Sequence, residues 1–287
     1  MKFNCTRKII LEYPSGSALE FYKDNLYLVG DDINYILCLD KQWNEINKIK
    51  LFDYDGIRIP KPEKPDLECA AIIDDILYVV GSGSKSPQRD VAFIINLTDN
   101  KVKKISTAAF YSIFKDWNLI NEMNIEGFTG CKDKLLFFNR GNTLQPNLLI
   151  ITDNKVLKKQ FPDKFKVIPV ILGKLHHFDM GISGACYDVI NDILFLSASA
   201  ENTSNAYDDG EIMGSAIAIV YDAYKKLNNK ELVIDELIDL NKTDDLFFKQ
   251  KIESICLTGH SGNHFSFVLV ADNDDGKSVL FELQMEL

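Results

Sequence analysis

Five segments of the chain repeat one pattern, and this repeat constrains the fold more than any other feature of the sequence. Each segment has a short polar start, an apolar strand, a polar turn and a second apolar strand. The second strands begin at Leu26, Leu77, Leu135, Leu194 and Phe267. A third apolar segment follows in every repeat. A fourth strand is expected in all but the last, around residues 45–52, 102–105, 156–161 and 232–240. Tandem units of four antiparallel strands are typical of β-propeller blades.

One turn of the repeat recurs without change. Thr-Asp-Asn-Lys-Val occupies residues 98–102 in the second repeat and residues 152–156 in the third, between the third and fourth predicted strands. Asp and Asn favour turns because both hydrogen-bond to their own backbone and tolerate a left-handed conformation. This recurrence in register supports the repetition of one structural unit.

The repeat predicts an all-β fold, a five-bladed β-propeller with four antiparallel strands per blade. We expect one domain over residues 1–287, with blades at residues 17–52, 68–106, 126–162, 183–240 and 253–287. The last repeat has three strands, so a strand at residues 6–13 is expected to complete it and close the ring, which removes an exposed sheet edge. An α/β barrel would need about eight helices, whereas only residues 107–120 and 223–228 have helical character.

Charge and hydropathy exclude two classes of partner. Acidic residues outnumber basic residues by 42 to 32, and the formal net charge is −10. Nucleic acids and anionic membranes attract basic surfaces, so neither is an expected partner. The amino-terminal residues lack the apolar segment of a secretory signal, and no apolar run reaches the length of about 18 residues expected of a membrane-spanning helix. The sequence therefore predicts a cytoplasmic location.

The first strand of a propeller blade lies beside the central channel, so the residue that begins it is expected at the channel mouth. We call these positions the leading residues: Ser17, Glu68, Glu126, Ser183 and Glu253. Glutamates grouped around one axis raise one another's pKa or require a cation. Two interpretations stay open at this point. The carboxylates bind a ligand or metal, or they accept backbone hydrogen bonds that hold neighbouring blades together.

The loops between the second and third strands are expected at the same mouth. Their candidate residues are Asp31, Ser82, Ser84, Arg89, Arg140, Asn142 and Asp272. The Gly-Ser-Gly-Ser stretch before Lys85 and Arg89 has the composition of an anion-binding loop, or it is a flexible polar loop. The segment 272–276 offers oxygen donors that suit calcium, or it is an Asp-rich hairpin. His177, just before Ser183, is a candidate general base.

Short motifs that contain these residues resemble a known group. The stretches 67–70, 125–128 and 252–255, together with the loop 272–275, resemble bacterial β-propellers of the phytase-like esterase and SdiA-regulated group. This resemblance spans all five repeats and implies that the glutamates and the Asp-rich loop face the channel, with calcium as the implied cofactor. Ser17 and Ser183 depart from the glutamate pattern of the group.

Three functional hypotheses follow. The first is a propeller that binds a small polar or anionic ligand, or a cation, at the channel mouth. Its ligand-binding residues would be Arg140, Arg89, Ser82, Ser84, Asn142, Asp31 and Ser183, and a metal would be held by Glu68, Glu126, Glu253 and Asp272.

The second hypothesis is a hydrolase of phosphoesters, esters or glycosides, because two carboxylates act as acid and base when their environments separate their pKa values. Its catalytic candidates are Glu68, Glu126, Glu253 and His177. The third is a scaffold that binds a protein partner on this face.

Overall fold

Antiparallel pairing organises the described part of the chain, which in this computed structural model comprises residues 2–154, 156, 164–201 and 212–287. The strands form five separate sheets, and each sheet is one blade. In blades 1 to 4 the main strands run outward from the channel in chain order, and in blade 5 an amino-terminal strand takes the outermost place.

The strands of the first two blades are short and match the sequence repeat. Blade 1 contains β2 (Gly16–Tyr22), β3 (Asn25–Gly30), β4 (Tyr35–Leu39) and β5 (Glu45–Lys50). Blade 2 contains β6 (Leu67–Ile73), β7 (Ile76–Gly81), β8 (Val91–Asn96) and β9 (Lys101–Ser106). Their first hairpins turn through residue pairs with positive φ, Lys23-Asp24 and Asp74-Asp75. Two-residue hairpins favour this geometry because it matches the twist of the strands.

The other three blades are larger. Blade 3 contains β10 (Ile125–Cys131), β11 (Lys134–Asn139), β12 (Asn147–Asp153), β13 (Phe165–Ile171) and β18 (Leu232–Val233). Blade 4 contains β14 (Lys174–Leu175), β15 (Phe178–Asp188), β16 (Ile193–Glu201), β17 (Ile212–Val220) and β19 (Glu236–Asp239). Blade 5 contains β20 (Ile252–Ser261), β21 (His264–Asp272), β22 (Ser278–Glu286) and β1 (Lys2–Leu11).

The ring is closed by pairing between the amino-terminal strand and the last strand of the fifth repeat. Strand β1 runs antiparallel to β22, from Lys2 opposite Glu286 to Leu11 opposite Ser278. The inner strands β2, β6, β10, β15 and β20 contact one another in a closed cycle. The predicted five-bladed propeller, with an amino-terminal strand in the last blade, is confirmed.

Two outer strands differ from their predicted positions. The fourth strand of blade 3 was expected near residues 156–161, most of which lie outside the described residues; β13 fills that place instead. The expected strand at residues 232–240 is divided. Its first part, β18, pairs in parallel with β13 of blade 3, and its second part, β19, is the outer strand of blade 4. Outer strands contact the rest of a blade on one edge only, so hydrophobic periodicity constrains them least.

The hydrophobic core is divided into five clusters, one at each interface between neighbouring blades. Between blades 1 and 2, for example, Val29 and Ile36 meet Leu77 and Phe93. Side chains from both faces of every blade are therefore buried, which explains strands with long uninterrupted apolar runs. The stability of the ring depends on side-chain packing between sheets, because separate sheets share no backbone ladder.

Two α-helices are present among the described residues, at both predicted places. Helix α1 (Ala108–Asp116) buries Phe110, Tyr111 and Phe114 against blades 2 and 3, and Tyr111 Oη donates to the Gly81 carbonyl at 2.5 Å. The helix thus packs on the blades and does not cover the channel. Helix α2 (Ala223–Lys226) is a single turn. In the described ranges no helix is long and apolar enough to cross a membrane.

Both serine leading residues connect one blade to the next. Ser17 Oγ donates to the Leu67 carbonyl, and Ser183 Oγ donates to the Ile252 carbonyl at 2.6 Å. Each acceptor directly precedes the leading glutamate of the following blade. The blade-connecting role that was predicted for the leading glutamates, as hydrogen-bond acceptors, is thus performed by the leading serines, as donors.

We expect Ser17→Ala and Ser183→Ala each to destabilise the fold by about 1–3 kcal/mol, because a buried carbonyl loses its hydrogen-bond donor. Urea unfolding followed by tryptophan fluorescence measures this change. Ser261→Ala, an exposed site at the end of β20, is the matched control and should change stability by less than about 0.5 kcal/mol. Equal effects of all three variants would contradict the blade-connecting role.

Candidate functional site

A β-bulge interrupts the first strand of every blade. The pairing register between first and second strands shifts at each leading residue: Ser17, Glu68, Glu126, Ser183 and Glu253. A bulge leaves one residue out of the ladder and re-aims its side chain. The repeat thus turns the three glutamates toward the channel mouth, where all of them line one cavity.

This central cavity has a volume of about 390 Å³, in the range of small-molecule sites. Nine acidic and six basic side chains line it, whereas Ile59 and Pro60 are the only large apolar residues that line it in the described ranges. The acidic residues are Asp31, Asp32, Asp66, Glu68, Glu126, Glu201, Glu253, Asp272 and Asp274, and the basic residues are Arg58, Lys61, Lys64, Arg89, Arg140 and Lys251. The cavity is therefore strongly polar with an acidic surplus.

One network of charges joins blades 1 and 2. The Lys64 ammonium contacts the carboxylates of Asp31 and, at 2.9 Å, Asp66. Arg89, 3% exposed, donates from Nη1 to Asp66 at 2.6 Å and to Ser84 at 2.7 Å. Ser82 also donates to Asp66. These contacts direct Arg89 toward Asp66. The arginine of the predicted anion-binding loop therefore binds a carboxylate of the protein itself.

A proline-rich arm between β5 and β6 forms one wall of the cavity. Arg58 Nε donates to Asp32 Oδ2 at 2.7 Å, and its Nη2 donates to Ser15 Oγ at 2.9 Å. The backbone N–H of Ile59 donates to the Asp32 carbonyl at 2.8 Å. Ion pairing and backbone hydrogen bonding thus fix the arm against blade 1.

A second network joins blades 3, 4 and 5. Arg140 binds Glu126 at 2.9 Å and Glu201 at 2.7 Å, and also donates to Ser199 at 2.8 Å. Lys251 lies 2.9 Å from Glu253 and 3.5 Å from Glu201. Two of the three leading glutamates are therefore neutralised by cations of the protein itself.

Two carboxyl groups stand apart from these networks. Among the described residues, neither Glu68 nor Asp272 has an ion-pair partner. Glu68 also has no side-chain hydrogen bond to the described part of the chain, whereas Asp272 Oδ1 accepts one from the backbone N–H of Asp274 at 3.0 Å. Lys64 attracts Glu68, and Arg58 attracts Asp272, but neither cation forms a direct ion pair with these acids.

Neighbouring carboxyls of blade 2 have opposite pKa shifts. Burial raises the pKa of Glu68 well above its usual range, and the carboxylates of Asp66 and Asp31 raise it further. Burial also opposes ionisation of Asp66, but the positive charges of Lys64 and Arg89 outweigh it and lower the Asp66 pKa. Two carboxyls that are two residues apart thus have pKa values shifted in opposite directions.

The second network separates its carboxyls in the same way. Burial raises the pKa of Glu126 to about 7 although Arg140 opposes the shift. Burial acts against ionisation of Glu201 as well, but Arg140 and Lys251 lower its pKa. Burial also raises the pKa of Asp272, to about 7.

The donor geometry does not fit the calcium ion that the resemblance implies. In the described ranges, the carboxylates that approach one another closely enough to share a metal ion are Asp31, Asp66 and Glu68, with oxygens within 4.8 Å. The Lys64 ammonium already lies between Asp31 and Asp66. The predicted metal ligands Glu126 and Glu253 are paired with Arg140 and Lys251. In the Asp-rich loop, Asp272 and Asp275 accept backbone hydrogen bonds of a hairpin.

Five predicted site residues lie outside the central cavity lining. Two of them, Ser82 and Ser84, hydrogen-bond to Asp66 inside the protein, and the others are His177, Asn142 and Ser183. His177 follows His176 in the turn between β14 and β15, where His176 contacts Asp239 at 3.1 Å. Asn142 donates to Glu122 at 2.9 Å and lines a separate groove. Ser183 is buried in its contact between blades. The structure brings the predicted residues Asp31, Glu68, Arg89, Glu126, Arg140, Glu253 and Asp272 together in the cavity.

Several cavity residues are absent from the sequence-based prediction, because it used only the leading position of each repeat. The position two residues earlier also faces the cavity: Ser15, Asp66, Asn124 and Lys251 line it, and Gly181 is the equivalent residue of blade 4. That spacing was available in the sequence. Lys64 and Glu201 had no such signal, because they belong to the irregular arm and to the end of β16.

Gly181 leaves the space that Arg140 occupies. A Cβ atom on Gly181 would lie 2.5 Å from Arg140 Nε and 2.6 Å from its Cγ. We expect Gly181→Ala to displace the guanidinium from Glu201 and to destabilise the protein by about 1–3 kcal/mol. Chemical unfolding measures the loss. Gly259→Ala, where nothing lies within 4 Å of the added atom, is the control, and an equal loss there would contradict the steric argument.

The burial of Asp272 gives stability a pH dependence. Its pKa of about 7 lies above the unfolded value of 3.8, so its contribution is fully present below pH 3.8 and is lost as pH rises through about 7. Asp272→Asn should therefore raise the Tm at pH 8 and leave it nearly unchanged at pH 4. Asp275→Asn, an exposed site in the same loop, is the control. A Tm gain that is equal at both pH values would contradict the assignment.

Solved structures with the same fold include two enzymes. Glutaminyl cyclase from Myxococcus xanthus aligns with a TM-score of 0.59 and 11% identity, over 99% of this chain and 97% of the cyclase. A GH130 protein, from work on mannoside phosphorylases and glycoside hydrolases that target β-1,2-mannosidic linkages in Candida mannan, aligns with a TM-score of 0.54 and 10% identity, over 97% of this chain and 85% of the other. At such low identity the likeness shows the fold alone.

No curated protein matched the chain. A match to a family of unknown function covers residues 12–285, which include strands of all five blades. The chain therefore belongs to the family of unknown function DUF6929.

Proposed function

We propose that the protein binds a small polar ligand with a positively charged organic group, an ammonium or a guanidinium, in the central cavity. The observation that carries this proposal is the acidic surplus of the cavity, nine carboxyl groups against six cations. Glu68 and Asp272 concentrate that surplus because they lack an ion-pair partner among the described residues. A ligand cation would supply the charge that the cavity lacks.

The internal ion pairs of the cavity favour a cationic ligand over an anionic one. Arg89, Arg140 and Lys251 are buried and already bound to carboxylates. An anionic ligand that used these three cations would have to displace their internal partners, which would leave buried carboxylates without a counter-ion. A cationic ligand requires no such exchange.

An organic cation fits the geometry better than a metal ion. A hard metal ion needs several carboxylate oxygens around one point, and Lys64 already occupies the closest such point. An ammonium or guanidinium group donates hydrogen bonds one at a time, so it can use single carboxyl groups such as Glu68. The acidic, basic and neutral polar side chains of the lining can also form hydrogen bonds with other polar groups of the ligand.

Hydrolysis is the second candidate function. The pairs Asp66–Glu68 and Glu126–Glu201 each combine a raised with a lowered pKa. This separation suits general acid–base chemistry, and the two enzymes named above share the fold. A relationship to the phytase-like esterase group, based on the glutamate motifs, belongs to this same candidate. Chromogenic ester, phosphodiester and glycoside substrates, with and without calcium, test it.

The binding proposal predicts a specific loss. The double variant Glu68→Gln/Asp272→Asn keeps both side-chain shapes but removes both surplus charges. We expect it to weaken binding of organic amines and guanidines at least tenfold, because a charge-assisted contact contributes about 1.5–3 kcal/mol. Isothermal titration calorimetry with butylamine, agmatine and putrescine measures the affinity, and thermal shift confirms ligand-dependent stabilisation.

The matched control is Glu63→Gln/Asp275→Asn, which changes exposed acids of the same arm and loop. It should bind the amines like the unaltered protein. Phosphate, glucose and calcium chloride are titrated in parallel. The proposal is wrong if none of the amines binds, or if both double variants weaken amine binding equally.

A further inference from the structure

The arm between β5 and β6, residues 51–66, is joined to the blades at both of its ends. At the start, Asn34 Nδ2 donates to the Phe52 carbonyl at 2.9 Å. At the end, Asp66 is 3% exposed, and its backbone N–H donates to the Asp31 carbonyl at 3.1 Å. Lys64 adds its ion pair with Asp31. These contacts do not involve the middle of the arm.

The middle of the arm is largely exposed to solvent. Nine of the eleven residues 53–63 are exposed, and the exposed fraction of Ile57 reaches 84%. Ile59 is the buried residue of this stretch, at 5% exposure. A segment with few buried apolar contacts opens at a lower free energy than the core strands do. The middle of the arm therefore has the low local stability that movable loops need.

This stretch also keeps internal hydrogen bonds that do not depend on the blades. Tyr54 Oη donates to the Arg58 carbonyl at 3.1 Å. The Pro60 carbonyl accepts from the backbone N–H of Glu63 at 2.8 Å, and the rings of Pro60 and Pro62 restrict φ. The stretch can therefore move away from the blades without first losing its own turns.

A buried acid of blade 1 binds the middle of the arm at two points. Asp32 Oδ2 accepts from Arg58 Nε at 2.7 Å, and the Asp32 carbonyl accepts from the Ile59 N–H at 2.8 Å. The Asp32 side chain is 7% exposed, whereas that of Arg58 is 49% exposed. Water competes with a half-exposed ion pair, so this contact can break and form again.

From this position the arm reaches across the mouth of the cavity. It leaves the outer strand of blade 1, enters the inner strand of blade 2, and contributes Arg58, Ile59 and Pro60 to the cavity lining. Arg58 also approaches the Asp-rich loop of blade 5, because a Cβ atom on Gly276 would lie 3.9 Å from Arg58 Nη1. The arm thus spans the mouth from blade 2 over blade 1 to blade 5.

We propose that the arm is a lid over the cavity mouth, and that the contacts of Arg58 and Ile59 with Asp32 are the latch that holds it in place. When the latch opens, residues 53–63 leave the blades while Phe52 and Asp66 stay attached. A ligand then enters or leaves on the side of blade 1, as in other proteins whose loops gate a site. This inference concerns access to the cavity and is independent of which ligand binds there.

Limited proteolysis with trypsin measures the opening of the latch. Within the arm, trypsin can cleave after Arg58, because Lys61 and Lys64 are each followed by proline. The rate of cleavage follows the population of the open form when opening and closing are fast. Asp32→Asn removes the charge that binds Arg58 but keeps the side-chain shape and the cleavage site. We expect cleavage between residues 58 and 59 to become about tenfold faster.

The matched control is Asp24→Asn, because Asp24 forms an exposed ion pair with Lys41 at 2.8 Å on the same blade. It should leave the rate of cleavage after Arg58 unchanged. Mass spectrometry of the fragments separates opening of the lid from global unfolding, which exposes lysines and arginines of all five blades. Equal rates for both variants and the unaltered protein, or cleavage spread over the blades at the same rate, would overturn the latch.

Hydrogen exchange tests the lid in the unaltered protein. The amides of Ile59 and of inner strand β6 are both hydrogen-bonded. We expect the Ile59 amide to exchange about a hundredfold faster than the β6 amides, at a rate that low urea concentrations do not change, because its opening is local. Exchange of Ile59 as slow as that of β6 would mean that the arm opens only on global unfolding, and would exclude a lid.

Labelling of a cavity carboxyl links the opening of the arm to access. A water-soluble carbodiimide with glycine ethyl ester converts carboxyl groups to amides, which mass spectrometry locates. We expect Asp32→Asn to increase the labelling rate of Glu68 about tenfold, in parallel with cleavage. Glu12, whose side chain is 82% exposed, is the internal control and should be labelled at an unchanged rate. Faster cleavage without faster labelling of Glu68 would show that the arm does not control entry, and would overturn the proposal.

Discussion

The β-bulge in each inner strand is the constraint on which the cavity depends. An unbroken ladder would keep each leading side chain in the packing between blades. The register shift places it at the channel mouth instead, five times around one axis. What each position then does depends on residue type. Ser17 and Ser183 reach a backbone carbonyl of the next blade, whereas the longer glutamates extend into the cavity.

The charges at this mouth fix the positions of side chains more than they stabilise the fold. Buried ion pairs gain little net free energy because desolvation opposes their attraction. The networks around Arg140 and Asp66 nevertheless hold each carboxyl in a defined position and counteract the effect of burial on its pKa. An uncompensated acid such as Glu68 lowers stability further. Such local loss of stability is typical of binding sites, where the ligand supplies the missing interactions.

Sequence reasoning reached the fold and half of the site for one physical reason. The repeat gives every blade a similar backbone, so the sequence alone places Glu68, Glu126 and Glu253 at equivalent positions. Arg140 and Asp272 follow from the same logic. Their partners do not, because ion pairs form between blades of different sequence. Lys64 reaches Asp31 from an irregular arm, and Glu201 extends beyond the repeat unit. Neither hydrophobic periodicity nor turn chemistry encodes such contacts.

Pairing of β1 with β22 has a consequence for the order of events during synthesis. Residues 2–11 are synthesised well before their ladder partners at residues 278–286. Until then the amino-terminal strand has no neighbour, and the ring cannot close. Glu201 of blade 4, likewise, forms its contact with Lys251 only after blade 5 has been synthesised. Contacts this distant in sequence are slow to form, so the cavity is among the last parts of the molecule to exist.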